Sequence, residues 1–169
     1  MFRSEDEQQS EPTSGAAWFS ITPTVAGGSL SAQVGGQGYV APSRGSLLYP
    51  AVAVNSRGQG AIAFSMTSGS LFPTLGYVPI TNGQIGSTIQ VAAKGSLPED
   101  GFTGYALPEK GVISYIPPGI GVARWGDYSA ATVDPAGDIW VAGEYISDAA
   151  RPPMAYTDWG TYVANLKTH

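Results

Sequence analysis

One segment of this chain occurs twice at a constant offset, and it limits the possible folds more than anything else in the sequence. Tyr49-Pro-Ala-Val-Ala-Val-Asn-Ser-Arg-Gly-Gln-Gly-Ala-Ile-Ala-Phe-Ser65 aligns without gaps on Tyr128-Ser-Ala-Ala-Thr-Val-Asp-Pro-Ala-Gly-Asp-Ile-Trp-Val-Ala-Gly-Glu144. Tyr49/Tyr128, Ala51/Ala130, Val54/Val133, Gly58/Gly137 and Ala63/Ala142 are identical pairs. Each copy reads as a short apolar strand, a four-residue turn and a second strand. The turns are Asn55-Ser56-Arg57-Gly58 and Asp134-Pro135-Ala136-Gly137. Asn or Asp opens such a turn by bonding the backbone ahead of it, Pro suits the next position, and the closing Gly accepts positive φ. Second strands over 60–66 and 138–146 complete two β-hairpins.

Further strands extend the pattern. The first copy is followed by expected strands at 74–80 and 87–93, which makes four consecutive antiparallel strands. The second is followed by one at 159–166. Ahead of both lie strands at 18–24 and 29–34. No helical periodicity exceeds a turn. The expected fold class is therefore all-β, built of four-stranded blade-like units in a propeller-like series that is incomplete in one chain. A β-sandwich or barrel is the alternative. The units fall at about 17–46, 47–94 and 124–169 within a single domain over 17–169. A long loop at 95–123, with a hairpin expected near 105–116, separates the last two. Residues 1–16 form a flexible acidic lead-in.

Composition agrees with this reading and excludes several functions. Gly 23 and Pro 13 suit many tight turns, and 43% hydrophobic residues can fill a core. Only 12% of residues are charged, about half the usual share. The net charge is −5 and the eight basic residues are scattered. A nucleic-acid partner, which needs a basic stripe, is not expected. Cysteine is absent and the single histidine is His169, so thiolate chemistry, a Ser-His-Asp triad and a histidine metal site are excluded. No cofactor and no metal site are expected. No apolar run approaches the ~20 residues that span a bilayer. The N-terminus lacks an apolar signal segment, and the chain is expected to start downstream of a removed signal or another domain. A secreted or periplasmic location is compatible, although nothing in the sequence specifies the compartment.

The hairpin pair, together with Arg124-Trp125-Gly126-Asp127-Tyr128, Asp134-Pro135-Ala136-Gly137 and Trp140-Val141-Ala142-Gly143-Glu144-Tyr145, resembles blades of bacterial sialidase-like (BNR-type) β-propellers. The resemblance is pointed around 44–66 and 124–166. It implies the fold and no catalytic residues, because the Ser-x-Asp-x-Gly-x-Thr-Trp Asp-box is absent and the arginine triad has no matching positions. Propellers have 4–8 blades, so two and a fraction blades would leave apolar faces and edges open. A homo-oligomer, or membership of a larger chain, follows as the expectation.

Candidate site residues cluster where the long loop enters the second hairpin. Arg124 can grip a carboxylate in two-pronged fashion, Trp125 and Tyr128 can stack on a sugar face, and Asp127 can act as acid or base. The plainer alternative is packing aromatics beside an Arg124–Asp127 ion pair. Glu144 and Tyr145, with Asp148 and Arg151 following, could form the carboxylate-activated tyrosine of some glycosidases, or simply a solvated strand end. Asp134 and Asp138 are fully explained by the turn, and Trp18, Trp140 and Trp159 by packing. Three functions remain open at this level. They are a propeller-type binding or scaffold domain for carbohydrate or protein, a sialidase-like glycoside hydrolase, and a purely structural self-assembling unit.

Overall fold

The computed structural model describes residues 13–97, 126–147 and 159–168. Within them the chain is all-β and antiparallel, with ten strands and no helix. No helix of the described residues is long and apolar enough to cross a membrane. Strands β1 (Ala16–Ala26) and β2 (Ser29–Val40) form a two-stranded hairpin. Strands β3 (Ser46–Val54), β4 (Gly60–Ser68) and β5 (Leu71–Thr81) run in order through the central sheet. Two short strands, β6 (Gln84–Ile85) and β7 (Gln90–Ala93), both pair with β5. The third sheet holds β8 (Ala130–Val133), β9 (Ile139–Ile146) and β10 (Trp159–Leu166), with β9 in the middle.

Both expected hairpin turns form, and by the same chemistry. Asn55 Oδ1 accepts hydrogen bonds from the N–H groups of Arg57 (2.9 Å) and Gln59 (3.0 Å). Asp134 Oδ1 accepts the equivalent pair from Ala136 (2.9 Å) and Asp138 (3.0 Å). Gly58 and Gly137 close the two turns at φ 71° and 90°, a region a side chain would resist.

The central and third sheets are stacked. Period-two alternation splits β4 into two faces. Ala61 and Ala63 lie against Ile139 and Val141 of the third sheet, with Tyr77, Ala131 and Leu166 around them. Leu75 fits where Gly143 has no side chain: a Cβ there would lie 2.5 Å from Leu75 Cδ1. Ile62, Phe64 and Met66 point the other way and pack with Leu47, Val78 and Ile80. Burial of a residue such as Phe64 is worth about 2–3 kcal/mol.

The two hairpins lie turn over turn in this stack. Asn55 Nδ2 donates to Gly137 O at 2.8 Å, and Ser65 Oγ donates to Glu144 O at 3.4 Å. Thr168 Oγ1 also donates to Gly137 O (2.9 Å), and Arg57 Nη2 reaches Thr168 Oγ1 (2.9 Å). Lys167 Nζ and the buried Asp138 carboxylate meet at 2.6 Å, tying the end of β10 to the second turn.

Several details differ from the sequence-based expectations. Of the expected lead-in, residues 13–16 are described, and Ala16 opens β1. Ser14 donates through Oγ to Leu47 O (2.8 Å), Leu47 N donates to Ser14 O (3.0 Å), and Ala16 is buried. The first two strands run to 11 and 12 residues, because a bulge between Ser20 and Ile21 carries the pairing past the glycines of β2. The rest of the lead-in, nearly all of the 95–123 loop and its 105–116 hairpin lie outside the described residues.

Candidate functional site

At one end of the stack the chain brings Gly126 against Tyr49 and Glu144, with Asp127 near the same carboxylate and Tyr128 and Ser129 following on the segment. Tyr49 sits in an interruption of the β3–β4 register, between Leu48 and Ala51, and has φ 53°. A tyrosine in the left-handed region costs about 1–2 kcal/mol, which the surrounding packing must offset. Gly126, at φ 38°, lies beside it. A Cβ on Gly126 would meet the Tyr49 ring at 3.3 Å and Glu144 Oε2 at 3.1 Å. The glycine is needed here because its backbone runs between the aromatic ring and the carboxylate.

Burial pushes the Glu144 carboxyl above its ordinary range. The Gly126 N–H opposes that shift, and the negative charge of Asp127 adds to it. Glu144 Oε2, and Ser129 Oγ beside Gly143, are buried without a hydrogen-bond partner. Buried polar atoms are normally paired, so both retain bonding capacity. Tyr128, by contrast, is 84% exposed.

The candidate residues from the sequence are thus only partly gathered. Asp127 stands close enough to Glu144 to influence its charge, and Tyr128 follows on the same short segment. Tyr145 goes elsewhere: successive residues of a strand leave opposite faces. Its ring packs edge-on against Tyr162, with centroids 6.1 Å apart and an interplanar angle of 84°. Arg124, Trp125, Asp148 and Arg151 lie outside the described residues. Asp134 is occupied by its turn and by Trp140 Nε1, which donates to Oδ2 at 3.0 Å. That indole bond, ahead of the opposing effect of burial, holds the Asp134 carboxyl below its usual range. Among the described residues no group of three or more carboxylate, histidine or cysteine side chains could hold a metal. Tyr49, Gly126 and Ser129 were not singled out as site residues from the sequence. The pairing of Tyr49 with Tyr128 in the repeat was the one signal pointing at the first of them.

Comparison of this chain with protein-family models, with curated proteins and with solved structures finds no match.

Proposed function

We propose that the chain is a propeller-type scaffold that binds a hydroxyl-bearing ligand, a carbohydrate or a polar protein segment, at the Tyr49–Asp127–Tyr128–Ser129–Glu144 end of the stack. The propeller part of the reading is supported by the same-direction stacking of the two hairpins, turn over turn and end over end, as successive blades stack. The ligand part rests on one observation: Tyr128 is 84% exposed on the short segment whose Gly126 lies against the Glu144 carboxylate. A sugar ring supplies an apolar face for the exposed tyrosine and hydroxyls for the polar groups at the edge of the site.

Titration with neutral and acidic oligosaccharides, followed by intrinsic fluorescence and calorimetry, tests the site. Saturable binding is expected, weakened at least ~10-fold by Tyr128→Ala or Glu144→Gln, the loss of about one good contact. Binding that survives both substitutions unchanged, or no saturable binding across the panel, would remove this site from consideration.

The raised Glu144 carboxyl beside Asp127 favours a second reading, a glycoside hydrolase with Glu144 as general acid. Turnover of an aryl glycoside that disappears in Glu144→Gln would select it. Ligand binding without turnover would select the scaffold.

A further inference from the structure

The β1–β2 hairpin is an arm with two unlike faces. Cross-strand pairs Ile21/Val34, Pro23/Ala32 and Val25/Leu30 share one face, and Thr22/Gln33 and Thr24/Ser31 share the other. Along β1 the first face continues through Phe19, and Tyr39 of β2, paired with Ala17, lies on it too. The root of the opposite face, Ala16, Trp18 and Val40, is docked on the Phe64 core. The apolar face of the arm therefore looks away from the body. Val25 is 75% exposed, Leu30 74% and Tyr39 81%, and Phe19, Ile21 and Val34 are each more than half exposed.

An antiparallel sheet with one apolar face ordinarily lays that face on a core, and a two-stranded ribbon alone is marginal in water. The arm thus needs a cover, and its chemistry narrows what that cover is. From Pro12 to Ser43 there is no Asp, Glu, Lys or Arg, in a chain of net charge −5. A charged partner would find nothing to pair with, whereas two copies can meet arm to arm without opposing like charges. The six large side chains expose on the order of 700 Å² together, close to the ~800 Å² each partner gives to a standard interface. A face that meets itself about a two-fold axis needs no second surface, and such pairs are the commonest closed assemblies.

We propose that two copies of this chain associate through the outward apolar faces of their β1–β2 arms, packed face to face about a two-fold axis. The inference rests on the scaffold reading, whose incomplete stack calls for more than one chain, and does not depend on the ligand. Size-exclusion chromatography with light scattering should give twice the 17.5 kDa chain mass. Leu30→Asp/Val34→Asp should raise the dimer dissociation constant at least ~100-fold and leave the far-ultraviolet spectrum of the β body in place. Leu30→Ser/Val34→Ser should act in the same direction, so the test stands even if the charged variant misfolds. Val163→Lys, on the exposed face of the third sheet, should leave the dimer intact. Three results would overturn the proposal: a wild-type monomer at ~100 µM, where a standard interface would be saturated; a dimer that survives both arm variants; or an assembly dissolved by Val163→Lys and not by the arm variants. Sugar titration of the Leu30→Asp/Val34→Asp monomer, and the mass of Glu144→Gln, separate this claim from the ligand claim, since each can fail while the other holds.

Discussion

The molecule contains two kinds of hairpin, and the contrast between β1–β2 and β3–β4 is instructive. Both are antiparallel, both turn on positive-φ glycine, and both carry alternating apolar residues. In β3–β4 the alternation on β4 is spent on both sides: Ile62, Phe64 and Met66 face one core, Ala61 and Ala63 the other. In β1–β2 only the root is buried, and the apolar stripe beyond it has no cover among the described residues. Equal patterning therefore does not give equal burial. What decides it is whether a second layer is supplied, and the described residues supply one for β4 and none for the arm.

Truncation at the best-buried position gives the largest expected effect. Phe64 is fully buried in the first core, so Phe64→Ala should cost about 3–5 kcal/mol. Denaturant unfolding would measure it, and a loss under ~1 kcal/mol would mean that the central sheet is not the stable part of the molecule. Overfilling the second core should cost less. Gly143→Ala places a Cβ 2.5 Å from the fully buried Leu75, and about 1–3 kcal/mol is expected. If the substitution were neutral, the central and third sheets would not be packed as tightly as their contact implies.

The residues that carry this contrast were unevenly legible. Turn chemistry is local, so Asn55 and Asp134 announced their hairpins, and the strands appeared within a few residues of where alternation placed them. The length of the arm was less legible, because Gly35, Gly36 and Gly38 read as a break in the strand, although the bulge lets pairing continue through them. The short β6 detour carries no alternation to read. The site was the least legible. Tyr49 and Glu144 come to flank Gly126 because two sheets stack, and no local rule reports a stacking partner. One part was readable in advance: consecutive residues of a strand diverge, so Glu144 and Tyr145 could not form a pair on one face.

The body's own weak point is polar. The Glu144 carboxyl is raised, so the folded state holds its proton more firmly than the unfolded chain does. That contribution is complete at pH below the ordinary carboxyl range and is lost as pH rises through the raised value. Glu144→Gln stays neutral throughout. The midpoint of the variant, measured against wild type, should therefore climb as pH rises from the ordinary carboxyl range through the raised value and then level off. Parallel curves across that window would show that the carboxyl keeps its ordinary proton affinity, and the general-acid reading would lose its support.

The smallest expected effect belongs to the arm, and it is the sharpest test of the contrast. Leu30 is as large and apolar as the core residues, yet it is 74% exposed. At a concentration where the chain is monomeric, Leu30→Ser removes little apolar surface that folding had taken from water, so stability should move by less than ~0.5 kcal/mol. At high concentration the same substitution should lower the midpoint, because a partner that binds only the folded chain stabilises it by mass action. Melting curves at two concentrations a thousandfold apart read both numbers from one protein. A large loss at the low concentration would mean that the arm is covered by its own chain. Equal small losses at both would mean that Leu30 is never covered, and the arm would be a bare ribbon and not half of an interface.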